Sequence, residues 1–239
     1  MSVRIALHHR TEYHYDRFVN LSPHVIRLRP APHTRPLIHH FSLKVEPEDN
    51  YLNWQQDPFG NFIARYVFPE KTNKLIVDVN IVVDMVTIDP FDFFVEESAQ
   101  YYPFNYENQL KKELKPYFEI KESGPLLTKL LKKLNKSELG MLMTRLDAER
   151  NKSSTEATDN GSHIVHYLVE LNQKMEELIG YTIRLEPGIQ DCETTLQKKT
   201  GSCRDTAWLL VQTLRHMGLA ARFVSGYLIQ LTADQKSLD

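Results

Sequence analysis

The sequence is poor in cysteine: Cys192 and Cys203 are its only two. Such a pair builds no disulfide framework, and a free thiol persists best in a reducing compartment, so the expected location is cytoplasmic. There is no excess of basic charge. Lys and Arg number 29 against 31 Asp and Glu, a formal net charge of −2, which argues against nucleic acid as a partner. Long apolar runs are also missing. None approaches the ~18 residues that a bilayer span needs, so no membrane partner is expected. Residues 1–7 lack the apolar core of a secretory signal. What remains is 41% hydrophobic and 25% charged, over 239 residues. That is an ordinary globular composition, and the length suits one large or two small domains.

One stretch stands out: Thr200-Gly201-Ser202-Cys203-Arg204-Asp205-Thr206-Ala207-Trp208. A cysteine follows a glycine turn and opens an apolar helix. Ala207, Leu210, Val211 and Leu214 recur at helical spacing, predicting a helix over 204–217 with one buried face. Gly218 sits where a C-cap belongs. Cys203 thereby falls at a helix N-terminus, where unpaired backbone N–H groups and the helix dipole favour thiolate, the nucleophilic form. The competing reading is an inert core cysteine. Residues 221–231 read as a strand that returns beside the helix.

Residues 1–95 read as a β-rich domain. Val77, Val79, Ile81, Val83 and Met85 alternate with Asp78, Asn80 and Asp84, the period of a half-buried strand. Phe41, Leu43 and Val45 alternate with Ser42, Lys44 and Glu46, and Tyr13 and Tyr15 with Glu12 and His14. Asp57-Pro58-Phe59-Gly60-Asn61 is a turn between Tyr51–Gln56 and residues 62–68, which predicts a hairpin. Strands joined by local turns favour an antiparallel sandwich or barrel. Seven of the ten histidines fall here: His8, His9, His14, His24, His33, His39 and His40. Their irregular spacing, with no cysteine near, argues against zinc. No metal is expected; exposed or hydrogen-bonded strand histidines are. Arg27, Arg29 and Arg35 either meet an acidic partner or form a solvated face.

Residues 96–160 read as a helical linker region. Segments 106–118 and 125–134 are helical in character, and Leu126, Leu127, Leu130, Leu131 and Leu134 make an apolar stripe beside lysines. Residues 147–162, rich in Asn, Ser, Thr and charge, read as a mobile loop. Residues 161–239 carry the cysteine. Ile164, Leu168, Leu171, Met175 and Leu178 predict an amphipathic helix that ends at Gly180. A short strand over 181–185, a turn over 186–190 and a short helix over 193–199 lead to Cys203. Helix, strand, short helix, nucleophile helix and strand make an α+β core.

Gly201-Ser202-Cys203-Arg204-Asp205, Trp208-Leu209-Leu210 and Gly218-Leu219-Ala220-Ala221-Arg222-Phe223-Val224-Ser225-Gly226-Tyr227 resemble the nucleophile segment of bacterial transglutaminase-like proteins. These belong to the papain-like cysteine-nucleophile superfamily. His9-Arg10-Thr11-Glu12-Tyr13-His14-Tyr15-Asp16, Ser22-Pro23-His24-Val25-Ile26-Arg27-Leu28-Arg29-Pro30 and Asn53-Trp54-Gln55-Gln56-Asp57-Pro58-Phe59-Gly60-Asn61 are similar to the N-terminal β domain of the same proteins. The resemblance covers most of the chain. It implies an α+β fold, with an antiparallel β-sandwich-like domain, a helical linker and a papain-like core. It further implies a cysteine amidase, peptidase or acyltransferase, in which Cys203 forms a thioester from a peptide or carboxamide bond. The implied partner is a peptide or protein substrate, with neither metal nor organic cofactor. Relatives also occur as the front part of longer chains and alongside peptide ligases of the ATP-grasp type, which fits peptide processing in the cytoplasm.

Such chemistry needs a thiolate, a histidine that carries the proton and a group that orients the histidine. Cys203 supplies the first. Only His216 follows it, thirteen residues along the same helix. That is about 20 Å at ~1.5 Å per residue, against a hydrogen-bond reach of about 3 Å. His163 and His166 read as the flank and cap of their own helix. The resemblance places the histidine on the strand after the nucleophile helix and an aspartate on the next strand. Neither strand is in this sequence, so the expectation is a C-terminally truncated piece of a larger enzyme, inactive by itself. A catalytically dead module that binds a peptide or protein is the alternative. Gln190 is a candidate oxyanion donor beside the Cys203 backbone N–H. Asp205, in the first helical turn, is a candidate supporting residue whose simplest role is capping. Cys192 carries no motif and reads as a bystander thiol. A cut core sheet would leave an unpaired edge, so self-association through residues 221–231 is also expected.

Overall fold

The alternation of Val77, Val79, Ile81 and Val83 with Asp78, Asn80 and Asp84 becomes the middle strand of an antiparallel sheet. The computed structural model describes residues 3–85, 89–136, 162–184 and 186–229. The chain divides into two units, Met1–Phe93 and Phe94–Asp239.

The described residues of the first unit form β1 (Val3–Val19), β2 (His24–Ile26), β3 (Leu37–Glu46), β4 (Tyr51–Gln56), β5 (Phe62–Val67) and β6 (Thr72–Met85). β6 lies between β1 and β3. It pairs Ile81 with Leu7 and Val77 with Thr11 on one side, and the same residues with Phe41 and Val45 on the other. β5 lies between β2 and β4 in a second antiparallel sheet. Side chains alternate across a strand, so Val77, Val79, Ile81 and Val83 turn inward together and are buried with Val45, Ala64 and Tyr66. Phe41 of β3 and Trp54 of β4 meet edge to face, with ring centroids 6.3 Å apart, and join the sheets. The arrangement is the expected sandwich-like one.

The hairpin turn forms as read. The Asp57 carboxylate accepts the backbone N–H groups of Phe59 and Asn61, each at 2.9 Å, and Gly60 takes a φ of 81°. The outward positions of β6 carry charge. Asp78 accepts from His8 Nε2 at 2.7 Å, and Asp84 from Arg4 Nε at 2.8 Å and His39 Nε2 at 2.6 Å. Among the described residues, no group of three or more His, Cys, Asp or Glu is placed to hold a metal ion. No helix among them is long and apolar enough to cross a membrane.

In the second unit, β7 (Tyr101–Tyr102) pairs with β8 (Ser162–His163). The helices are α1 (Asn108–Glu113), α2 (Lys115–Phe118), α3 (Pro125–Lys136), α4 (Ile164–Leu178), α5 (Cys192–Lys198) and α6 (Cys203–His216), with short strands β9 (Gly180–Tyr181) and β10 (Thr200–Gly201) between them. Leu127 and Leu134 of α3, Leu171 and Met175 of α4, Cys192 of α5 and Leu209 of α6 meet in one core. Each fully buried leucine there contributes on the order of 2 kcal/mol. α4 buries Ile164, Tyr167, Leu171 and Met175, whereas Leu168, expected on that face, is exposed. Tyr167 takes its place and stacks on Tyr102, with centroids 4.5 Å apart.

Two expected strands differ. Of the strand expected at 181–185, Tyr181 alone among the described residues 181–184 enters a ladder, and residue 185 lies outside the described residues. The strand expected at 221–231 is not formed over 221–229, and its last two residues lie outside the described residues. Backbone groups that a ladder would use are already engaged. Ala221 N–H donates to Tyr117 O at 3.0 Å, Ala221 O accepts from Arg215, and Ala220 N–H donates to Tyr106 Oη at 3.0 Å. The loop expected at 147–162 lies outside the described residues up to residue 161.

Candidate functional site

The turn that presents the cysteine is built by β9 and β10. They pair in parallel, with Gly180 N–H on Lys199 O at 2.9 Å and Thr182 N–H on Gly201 O at 3.0 Å. The bend into this turn is made by Lys199, which ends α5 at a φ of 55°. Gly201 therefore serves a different end from the bend read in the sequence. A Cβ there would lie 3.0 Å from the Asp205 Cβ, so its lack of a side chain lets that carboxylate close in. Ser202 is the N-cap of α6 and Cys203 its first residue. Cys203 is exposed.

Asp205, one turn on, is wholly buried and takes five hydrogen bonds. Arg184 grips it in bidentate fashion, Nε at 2.9 Å and Nη2 at 3.0 Å. The backbone N–H of Gln190, the backbone N–H of Ser202 and the Ser202 hydroxyl each donate at 2.8 Å. Burial alone would raise this carboxyl, but the guanidinium and the converging N–H and O–H groups outweigh it and hold it well below the usual carboxylate range. Asp205 thus caps the helix and also ties together the segment after β9, the approach to α5 and the turn before Cys203. Arg184, absent from the sequence reading, is its main partner. The pair is 21 residues apart, with no periodicity to announce it.

Gln190 lies in the same cluster. Its side-chain Nε2 donates to Thr195 Oγ1 and to Thr200 O, each at 3.1 Å. Service as an oxyanion donor would require release of one of these bonds.

α6 is enclosed on more than the one face expected. Among Ala207, Leu210, Val211 and Leu214, only Val211 is fully buried; Asp205, Leu209, Gln212, Thr213 and Arg215 are buried with it. The buried polar groups hold neighbouring chain. Gln212 Oε1 accepts the N–H groups of Lys121 and Glu122, and Arg215 donates to the carbonyls of Glu119 and Ala221. The helix ends as expected at Gly218, whose φ is 80°. Leu219 N–H reaches Leu214 O at 2.9 Å and Gly218 N–H reaches Arg215 O at 3.1 Å, a Schellman closure.

The unit that carries Cys203 contains three histidines. His216, in the last turn of α6, donates Nε2 to Glu122 O at 2.9 Å. His163 is the N-cap residue of α4, and its ring contacts are with Tyr101 and His166. None of the three is hydrogen-bonded to Cys203 among the described residues. Cys192, by contrast with Cys203, is 1% exposed. Burial, followed by the Glu122 carboxylate, pushes its thiol far up. Glu122 also anchors the two helices, accepting Cys192 N–H at 2.6 Å and Trp208 Nε1 at 2.5 Å.

Residues 5–84 match the bacterial transglutaminase-like N-terminal region, and residues 151–237 match the transglutaminase-like superfamily. Both regions of the chain are transglutaminase-like. Among curated proteins none is significantly similar to it. A solved structure described as a "Putative Cysteine Protease from Cytophaga hutchinsonii" is similar at a TM-score of 0.57 and 16% identity. The likeness covers 91% of this chain, which spans 65% of that one. At that identity it speaks for the fold, the α+β transglutaminase-like fold expected. In the transglutaminase-like region Cys203 is the exposed cysteine and Cys192 the buried one.

Proposed function

We propose that Cys203 is the nucleophile of a transglutaminase-like amidase, peptidase or acyltransferase acting on peptide or carboxamide bonds. Its thiolate adds to the carbonyl carbon, the C–S bond forms, and the C–N bond breaks as the amine leaves with a proton. Water or a second amine then attacks the thioester, loses its proton and returns the sulfur. The observation that supports this reading is the exposed Cys203 at the first position of α6, on a turn fixed by the buried Asp205 and its partner Arg184. The fixed turn limits the orientational freedom lost when a carbonyl approaches the sulfur.

Proton transfer is the open half of the proposal. The histidines of this unit are engaged with Glu122 O or with Tyr101 and one another. Residues 1–239 alone are therefore proposed to react with thiol reagents without turnover. Labelling of the native chain with fluorescent iodoacetamide tests the first part: modification confined to Cys203 supports it, and equal labelling of Cys192 contradicts it. Ammonia release from a glutamine peptide, lost in Cys203→Ala, would overturn the second part. The same histidine geometry favours one rival, a module that binds a peptide without chemistry. Peptide binding that is indifferent to Cys203→Ala, with the sulfur no faster than free cysteine, would select it.

A further inference from the structure

Arg29 and Arg35, left open in the sequence between an acidic partner and a solvated face, line one pocket of about 600 Å³ in the first unit. Arg29 lies over three aromatic rings. Its guanidinium carbon lies 4.3 Å from the ring centre of Phe62, 5.4 Å from Trp54 and 5.6 Å from Phe41. Stacking engages the face of the guanidinium and leaves its fork of N–H donors at the edge. No hydrogen bond or carboxylate among the described residues meets those donors. Arg35 lies in the same wall and donates to the backbone carbonyls of Asp89 and Asp92, not to a carboxylate. Three other arginines of this unit are compensated: Arg4 by Asp84, Arg10 by Glu12 and Arg27 by Asp57. Two uncompensated guanidinium groups in one concavity make a local positive field, although the chain as a whole is slightly acidic.

The remaining wall says what kind of anion fits. Leu37 and Ile38, at the start of β3, line the pocket. β3 pairs only with β6 among the described residues, so it is an edge strand. An edge beside a cationic pocket suits an extended chain, with backbone along the strand and acidic side chains at the arginines. A pre-oriented fork also loses little side-chain freedom on binding a planar carboxylate, which it takes in bidentate fashion.

We infer that this pocket is a docking site for an acidic peptide segment, with Arg29 as the principal carboxylate receptor and Arg35 as the second. The site belongs to the β unit and does not depend on chemistry at Cys203.

The test is fluorescence anisotropy of labelled hexaglutamate with the full chain at low salt, beside labelled hexaglutamine. Hexaglutamate binds and hexaglutamine does not. Arg29→Gln and Arg35→Gln each raise Kd roughly tenfold, while Arg29→Lys, which keeps the charge but loses the fork, raises it severalfold. Arg65→Gln, an exposed arginine outside the pocket, leaves Kd unchanged. Circular dichroism reports whether each variant folds. If Arg29→Gln does not, Arg35→Gln, which releases only loop carbonyls, carries the test. Equal binding by all variants, no peptide binding, or Arg29-dependent binding of inorganic phosphate but not of hexaglutamate would each overturn the inference.

Discussion

In the second unit Asp205 is sealed from solvent and surrounded by Arg184, Ser202 and the Gln190 backbone. In the first unit Asp84 sits on the outer face of β6, its side chain 19% exposed, and its partner Arg4 is 63% exposed. Both carboxyls are held well below their ordinary range. The causes differ. For Asp84 they are hydrogen bonds first from Arg4 and then from His39, partly offset by burial. For Asp205, burial is the largest influence and works in the opposite direction; five converging bonds overcome it. Similar titration therefore conceals different structural roles. One carboxylate fastens three stretches of chain at a single buried point, while the other decorates a strand already held by its ladder on both sides.

Mutation separates the two most sharply. Asp205→Asn removes the buried charge on which Arg184, Ser202 and the Gln190 backbone converge and is expected to lower the urea midpoint, with faster proteolysis around residues 184–205. An unchanged midpoint would break the contrast. Acid is the next lever. A carboxyl whose folded pKa is depressed stabilises fully above its unfolded value of about 3.9 and loses that contribution as pH falls toward the folded value. Melting temperature should accordingly drop below about pH 4, and Asp205→Asn should flatten part of that limb. Gly201→Ala, which pushes a Cβ to 3.0 Å from the Asp205 Cβ, should cost about 1–2 kcal/mol by overpacking. The cost should shrink when Asp205 is already replaced. Gly218→Ala, strained by its φ of 80° but facing open space, should cost about 1 kcal/mol without altering Cys203 labelling. Asp84→Asn should leave the midpoint within error, and 0.5 M salt should abolish whatever difference remains.

The contrast also marks where the sequence was legible. Periodic features were: the alternation in β6, the turn at Asp57–Asn61 and the α4 helix each follow from side chains that repeat along one element. So does the Gly218 closure, because glycine at that position has one strong structural meaning. The strand expected over 221–231 is not formed over its described residues, 221–229, for the opposite reason. Its apolar residues look extended, but Arg215 and Tyr117 claim the Ala221 backbone from elsewhere in the chain. Leu168 was misplaced because helical spacing does not say how many neighbours surround a helix. At the candidate site, Cys203 and Asp205 could be read from glycine, cap and helix. Arg184, Glu122 and Gln212 could not, since each acts across 15 residues or more through a lone side chain with no pattern of its own.

The burial of Cys192 carries a consequence for redox chemistry. A peroxide that reached Cys203 would convert it to a sulfenic acid, and Cys192, buried beside the Glu122 carboxylate and held as the thiol, is ill suited to resolve it as an internal disulfide. Rescue of the oxidised form calls for a thiol other than these two, failing which oxidation proceeds to the irreversible sulfinate.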